Sequence, residues 1–453
     1  MKKIIAVATI AILLAGCNIY KKYEQVEKVP DNLYGQNEQL KYADTTNNIG
    51  TLGWREIFKD HYLQNLIDSA LVHNTNLRQA HLQVQEMEAS LKAAKLAFIP
   101  SFSFAPNYNF NMASPTQSQS YNIAISAQWQ IDIFGNLTNA KRQTQALTEQ
   151  AKDYEQATKV ELVAAMASLY YQLCLADREL DILKTTDTLW RKGVETQRAL
   201  MDAGISNSPA VLQLEASLHN VHIQIVDMQT LINSLENAIC QLLAETPHHI
   251  ARQEKYNFAM PEQIGIGLPI SILANRPDVR ASQRNVEAAY YATCRAYSAM
   301  YPNITLGGTF GFGSNNIAIT PGQVLINVLA QLTQPVFAQG SLRANLKISK
   351  AKQEEAKLAF AQKLLDAGVE VNEALSDCQA AKTKQKIYDK QVNALAEAYS
   401  ATQELMNNGQ ATYLEVLTAQ ESYLSAQLNQ SANLYDAACS IISLYVALGG
   451  GEK

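Results

Sequence analysis

Two stretches of strict alternation stand out along the chain, at residues 101–112 and 121–133. In the first, Phe102, Phe104, Tyr108, Phe110 and Met112 hold one parity and Ser101, Ser103, Asn107, Asn109 and Asn111 the other. In the second, Tyr121, Ile123, Ile125, Trp129, Ile131 and Ile133 oppose Asn122, Ser126, Gln128, Gln130 and Asp132. Successive strand side chains point to opposite faces, so each stretch predicts a ribbon with one apolar and one polar side. Each is about 12 residues long, roughly twice the usual strand of a soluble sheet and close to the 9–11 of a tilted membrane strand. The loop around Pro115 joins them as a hairpin.

Helical periodicity fills most of the remainder. Leu63 to Phe98 predicts a helix with a break near Asn74, ended ahead of Pro100 because the residue before proline disfavours the helical conformation. Leu137 to Met201 is free of proline and predicts one very long helix or two coaxial ones. Ala203 to Pro209 reverses the chain with a glycine stop, a serine cap and a proline suited to a first helical turn. The returning helix carries Val211, Leu214, Leu218, Val221, Ile225, Met228, Ile232, Leu235, Ile239 and Leu242 at alternating spacings of three and four, the seam of a coiled coil. Pro247 ends it, and residues 246–270 form an irregular connector.

The pattern then restarts. Leu71 to Ala80 aligns without gaps on Leu273 to Ser282, and the same offset sets Arg78 on Arg280 and Pro100 on Pro302. Residues 303–313 and 324–337 repeat the two strands, Ser341 to Asn407 repeats the long helix, and Leu200-Met201 through Gly204 falls on Leu405-Met406 through Gly409. A last helix runs from about Tyr413 to Leu448 with Leu417, Leu424, Leu428, Tyr435, Ile442 and Tyr445 in register. Internal duplication of this kind means each half is one structural unit. Four membrane-length strands are too few to close a barrel without edges, so closure demands several chains. A helix of about 65 residues spans roughly 100 Å, far more than a bilayer, and must project away from it.

Composition sharpens this. Charged residues make up 17% of the 453, below the usual quarter. The N-terminus reads as a processing signal: Lys2-Lys3, an apolar core from Ile4 to Leu14, and the lipoprotein box Leu14-Ala15-Gly16-Cys17. Cys17 then becomes the mature N-terminus and carries acyl chains that anchor the protein to a membrane surface. Removing residues 1–16, with their two lysines and no acid, takes the formal charge from −5 to −7, and no basic face for nucleic acid is visible. The other five cysteines, at 174, 240, 294, 378 and 439, have neither the parity nor the spacing of a disulfide framework or metal site and read as small core residues. No 18-residue apolar run follows the N-terminus, which excludes a helical span.

The chain resembles the TolC-like outer-membrane efflux factors, in particular the lipoprotein branch called the NodT family, over nearly its whole mature length. The marks are the lipobox, Trp54-Arg-Glu-Ile-Phe58, Trp129-Gln-Ile-Asp-Ile-Phe-Gly135, and Gly267-Leu-Pro with Leu273-Ala-Asn-Arg-Pro-Asp-Val-Arg280 running through Ala296 and Tyr301-Pro302 to the glycine-rich strand. The resemblance implies a mainly α chain with membrane β: a homotrimer whose four strands per chain complete a 12-stranded barrel, with long coiled-coil helices forming a tapering periplasmic tunnel. It also implies docking to a periplasmic adaptor and an inner-membrane pump, outer-membrane location, and export of drugs or other small molecules. The domains expected are a signal peptide at 1–16, a lipidated tether at 17–53, a first repeat at 54–245, the connector at 246–270 and a second repeat at 271–453. Arg276-Pro277-Asp278 reads as a structural helix start: proline suits the first turn, and the aspartate faces the positive end of the helix dipole.

In this family the closed periplasmic end is built from the second turn and the start of the last helix, matched here by Gly409 to Glu421. Many relatives carry an aspartate where this chain has Thr418, and an acid where it has Ala210. Glu415 and Glu421 lie three residues to either side of Thr418, so Leu414, Glu415, Thr418 and Glu421 are candidates for an aperture ring once symmetry multiplies them. Solvated helix carboxylates are the equally plain alternative. For catalysis the sequence offers no constellation: His219 and His222 lack further ligands at zinc spacing, His248-His249 sit in a loop, and Gly307, Gly308, Gly311 and Gly313 lie on a strand rather than opening a helix. No cofactor is called for. The exit duct of a protein-secretion system is a second reading, and a periplasmic coiled-coil scaffold lipoprotein is one of another class.

Overall fold

A computed structural model describes residue 23 and residues 52–111, 118–253, 276–314 and 323–451. The signal peptide, Cys17, most of the tether, the loop around Pro115 and residues 254–275 of the connector lie outside the described residues. The chain divides into two compact units, one of residues 1–28, 81–154 and 278–363, the other of residues 29–80, 155–277 and 364–453.

In chain order the elements are α1 (Trp54–Ile57), α2 (His61–His73), α3 (Thr75–Leu96), β1 (Ser101–Phe104), β2 (Asn107–Asn111), β3 (Ser118–Ile131), α4 (Asn136–Asp202) and α5 (Ser208–Leu243). Then come α6 (Pro277–Ser298), β4 (Asn303–Ser314), β5 (Gln323–Thr333), α7 (Ser341–Asn407) and α8 (Tyr413–Ala447). The two long helices, α4 and α7, have 67 residues each, so the first is continuous rather than two coaxial pieces. Asn74 makes the break between α2 and α3: its Oδ1 accepts from Leu77 N at 3.0 Å while its Nδ2 donates to Leu242 O at 2.9 Å. Both long hairpin turns use one device. Gly204 and Gly409 adopt left-handed φ of 74° and 72°, and the amides of Ile205 and Gln410 reach back to Leu200 O and Leu405 O, each at 2.9 Å. That is a Schellman ending, which satisfies carbonyls the helix leaves open.

The first unit holds a single antiparallel sheet in the order β1-β3-β4-β5, with β2 also paired to β3. Strand boundaries differ from the sequence reading, and the second strand begins at Ser118 instead of Tyr121. The first strand is broken at Ala105-Pro106 into β1 and β2, since a prolyl nitrogen cannot donate to the ladder and is tolerated on an edge. The second ends at Ile131, because Asp132 leaves the polar face to cap α4. Its carboxylate accepts from Leu137 N at 2.9 Å, Thr138 N at 2.7 Å and Thr138 Oγ1 at 2.6 Å, and the anion sits at the positive end of the helix dipole. The last strand stops at Thr333, short of Pro335. Two sequence marks meet beside the Asp132 cap: Phe134 stacks on Tyr301 at 5.0 Å, and Ser298 Oγ donates to Phe134 O at 2.8 Å.

The second unit holds a large apolar cluster. Trp54 and Phe58 of α1, Leu63 and Ile67 of α2, Met166 and Tyr170 of α4, Ile239 of α5 and Tyr445 of α8 are all buried in one cluster. Several polar groups of this unit are paired, as burial demands. Asp60 caps α2 at Tyr62 N (2.8 Å) and accepts from the Tyr170 hydroxyl at 2.6 Å. Arg276, only 3% exposed, donates to Ala447 O at 3.1 Å and pairs with Glu370 at 2.6 Å. The helix does begin at Pro277, as its sequence suggests. Asp278 Oδ1 accepts from Val279 N at 2.9 Å, and Asp278 pairs with Lys363 at 2.8 Å. Arg276 stands directly before that start, and its side chain caps the carboxyl end of α8.

Candidate functional site

The sheet comes first, because its register decides which residues share a face. Opposed residues of an antiparallel pair point the same way. Phe104 stands against Ile125, Ile125 against Phe310, and Phe310 against Ile326. Trp129 likewise faces Leu306, and Leu306 faces Ala330. The apolar parity of every described strand therefore falls on one side of the sheet. The other side carries Ser103 against Ser126, Ser126 against Thr309, and Thr309 against Asn327. No described strand contains Asp, Glu, Lys or Arg. The apolar side is open: Phe104 is 65% exposed and Val328 80%. At one end of this side the Trp129 indole donates to Phe98 O at 2.9 Å, with its ring body still exposed. Close strand contact is built in at Gly311, where an added Cβ would stand 2.2 Å from Ile123 O. Among the described residues, both outer strands of the sheet, β1/β2 and β5, have a neighbour on one side only.

The candidate aperture residues lie at the start of α8, in the second unit. Leu414 is 64% exposed, and Glu415, Thr418 and Glu421 are exposed too. Each polar one already has a local task. Glu415 Oε2 accepts from Thr412 N at 2.6 Å and Thr412 Oγ1 at 3.1 Å, closing a capping box. Thr418 donates to Leu414 O at 2.9 Å, and Glu421 Oε1 accepts from Ser217 Oγ of α5 at 3.1 Å. Glu415 and Glu421 are thus not brought together with each other. The sequence reading missed Tyr413, the first residue of α8, which lies so close to Gly193 of α4 that a Cβ there would be 2.8 Å from its hydroxyl. Burial pushes that hydroxyl up to about 12. Below it Trp190 and Val194 of α4, Leu214 and Leu218 of α5, and Leu417 and Leu424 of α8 form a buried cluster. A missing side chain at Gly193 was the only signal in the sequence, and one glycine in a long helix carries little by itself.

Between α4 and α5, charge does the joining. Arg198 pairs with Glu215 at 2.5 Å, and Asp187 accepts from Arg191 at 2.8 Å and sits 2.6 Å from His222. Burial raises the Asp187 carboxyl, but hydrogen bonds from Arg191 and His222 outweigh it and hold it below its ordinary value. His222 thus makes an inter-helix hydrogen bond to Asp187, while His219 touches it only edge to face at 5.9 Å. Among the described residues no group of three His, Cys, Asp or Glu could hold a metal ion, and no helix is long and apolar enough to cross a membrane.

A family model described as outer membrane efflux protein matches residues 66–245 and again 268–450, and one described as prokaryotic membrane lipoprotein lipid attachment site matches residues 1–18. The chain is similar to the cation efflux system protein CusC of Escherichia coli (strain K12), 27% identical over 457 residues that cover 98% of both chains. It is also similar to the toluene efflux pump outer membrane protein TtgC of Pseudomonas putida, 24% identical over 99% of this chain and 96% of that one. Among solved structures, the outer-membrane channel OprN superposes with a TM-score of 0.87 at 23% identity, over 96% of this chain and 99% of that one. A crystal structure of CusC gives 0.83 at 24%, over 96% and 100%.

Proposed function

The chain belongs to the outer membrane efflux protein family, and from there we propose that it is the lipid-anchored exit duct of a tripartite efflux system in the outer membrane. The observation that carries this reading is the sheet. One face is apolar through most of its register pairs, Tyr121 against Ser314 at one end excepted, the other is mainly hydroxyls and amides with Leu329 among them, and no described strand carries a charge. A face of bare Phe, Ile, Val and Leu suits lipid, and a face of Ser, Thr, Asn and Gln suits a water-filled lumen. Two open edges call for further copies, since an unpaired edge is not tolerated in hydrocarbon. Counting β1 and β2 as one broken strand, three chains close a 12-stranded barrel, the homotrimer of the family resemblance. A periplasmic adaptor and an inner-membrane pump supply the cargo, small solutes, and Cys17 bears the lipid.

The start of α8 is the gate in this reading. Tyr413 against Gly193 and Glu421 on Ser217 hold α8 to the α4/α5 pair by neutral packing and one hydrogen bond. Glu415 or Glu421, repeated by symmetry, supplies the acidic ring that an aspartate gives many relatives.

Planar-bilayer conductance of the purified protein, with its oligomeric mass measured in parallel, tests the reading. Discrete cation-preferring channels from a trimer are expected. A monomer that stays silent even after Gly193→Ala loosens α8 would favour the periplasmic scaffold instead. Loss of cation block in Glu415→Gln or Glu421→Gln would identify the ring residue, and block unchanged in both would remove the ring.

A further inference from the structure

Inside one chain the two repeats meet where β3 pairs with β4. Just past that pair the Phe134 ring stacks on Tyr301, with centroids 5.0 Å apart and planes 19° off parallel, and Ser298 Oγ donates to Phe134 O at 2.8 Å. A residue that follows β3 thus packs on the segment leading from α6 into β4. The gapless alignment that sets Pro100 on Pro302 also sets Ile99 on Tyr301, Phe98 on Met300 and Leu96 on Ser298. Phe337, which follows β5, is the counterpart of Phe134. The two junctions share a further detail: Trp129 Nε1 donates to Phe98 O at 2.9 Å, and Gln334 Nε2 donates to the matching Met300 O at 3.2 Å.

The counterparts lie bare. Phe337 is 84% exposed, Ile99 58% and Leu96 51%, whereas Phe134 and Tyr301 are half-buried. Phe337 follows one border strand of the sheet and Ile99 precedes the other. Three antiparallel pairings separate β1 from β5, so the two strands run in opposite directions. A second copy's β1 laid along β5 therefore pairs antiparallel and brings its start beside the end of β5. We propose that Phe337 of one copy packs on Ile99 and Leu96 of the next, repeating between copies the contact that Phe134 and Tyr301 make within one. This rests on the reading of the sheet as one part of a closed ring of copies. Leu96 in place of Ser298 gives up the bond to the carbonyl and adds apolar area instead. The contact lies beyond the strands themselves and acts on register. A β1 slid by two residues keeps its faces but carries Ile99 about 7 Å past Phe337, so only one alignment of the border strands closes it.

Thiol cross-linking of the purified, detergent-solubilised protein tests this, with oligomeric mass measured on the same samples. In the double variant Ile99→Cys with Phe337→Cys, a short bismaleimide is expected to join chains into dimers and trimers on a denaturing gel. Either single variant is expected to join none, and reports any background from Cys174, Cys240, Cys294, Cys378 and Cys439, which are buried or half-buried. A link that leaves the mass of one chain unchanged overturns the proposal. A trimer whose chains do not cross-link overturns the contact and leaves the ring standing, whereas a monomer overturns both. A second pair of variants keeps the test open where the double variant fails to assemble. Ile99→Tyr alone, which sets between copies the pair seen at Phe134 and Tyr301, is expected to tighten association by about tenfold. Phe337→Ala is expected to weaken it by as much, read from the protein concentration at which the mass falls to that of one chain. Association unchanged in both overturns the contact.

Discussion

The Tyr413 hydroxyl lies over the bare backbone of Gly193, where even a methyl group would come within 2.8 Å of it. Leu214 is the next nearest neighbour, at 3.5 Å, so the site has no slack on that side. Gly193→Ala is therefore expected to push the start of α8 off the α4/α5 pair. Single-channel recording should find a higher open probability, while the melting temperature changes by only a few degrees because the displaced atom is the tip of one side chain. Tyr413→Phe removes the oxygen and should restore closure in the double variant.

The glycines of β4 are not equivalent. A Cβ on Gly311 would meet Ile123 O at 2.2 Å and Ala124 Cα at 2.5 Å, both backbone atoms that cannot swing aside. On Gly307 and Gly308 it would make ordinary contacts at 3.8 and 3.6 Å. Gly311→Ala should thus split β3 from β4 and lower the oligomeric mass of the purified protein, with Gly307→Ala and Gly308→Ala assembling normally.

Asp132 gives the first hairpin its exit. Asp132→Ala loses three hydrogen bonds at the start of α4 and should destabilise the protein by about 1–2 kcal/mol. Asp132→Asn keeps an acceptor and should lose less. Urea unfolding of the two variants measures the difference.

The Asp187 clamp has a signed pH dependence. Its folded-state pKa is held below the ordinary carboxylate value, so its contribution is present above that value and is lost as pH falls through the lowered one. Asp187→Asn should lower the melting temperature at neutral pH, and the gap from the unaltered protein should close on acidification below the carboxylate range. A gap that stayed constant through and below that range would assign the clamp no electrostatic part.

Local periodicity made much of this architecture readable. The seam from Val211 to Leu242 is the buried or half-buried face of α5, and glycines at 204 and 409 mark the two turns where they occur. The boundaries that were misread share a physical cause, a residue whose partner is distant or whose backbone chemistry overrides its parity. Asp132 alternates like a strand residue, but the amides of a helix that starts four positions later hold it more strongly than a polar sheet face would. Pro106 has the right parity and no amide to give. Arg276 sits in a recognisable motif, yet the carbonyl it caps is 171 residues away. At the start of α8, Leu414, Glu415, Thr418 and Glu421 were legible as one helix start, whereas Tyr413 on Gly193 was not, because a gap in a helix surface becomes meaningful only beside what fills it.

The two unpaired borders of the sheet bear on inheritance as well as on folding. In the ring proposed above, β5 and the broken β1/β2 strand each pair with another copy, so a copy with one hairpin damaged would still recruit healthy neighbours through its sound border. Such an allele would be expected to act dominantly, because each ring that admits one faulty copy would be spoiled whole.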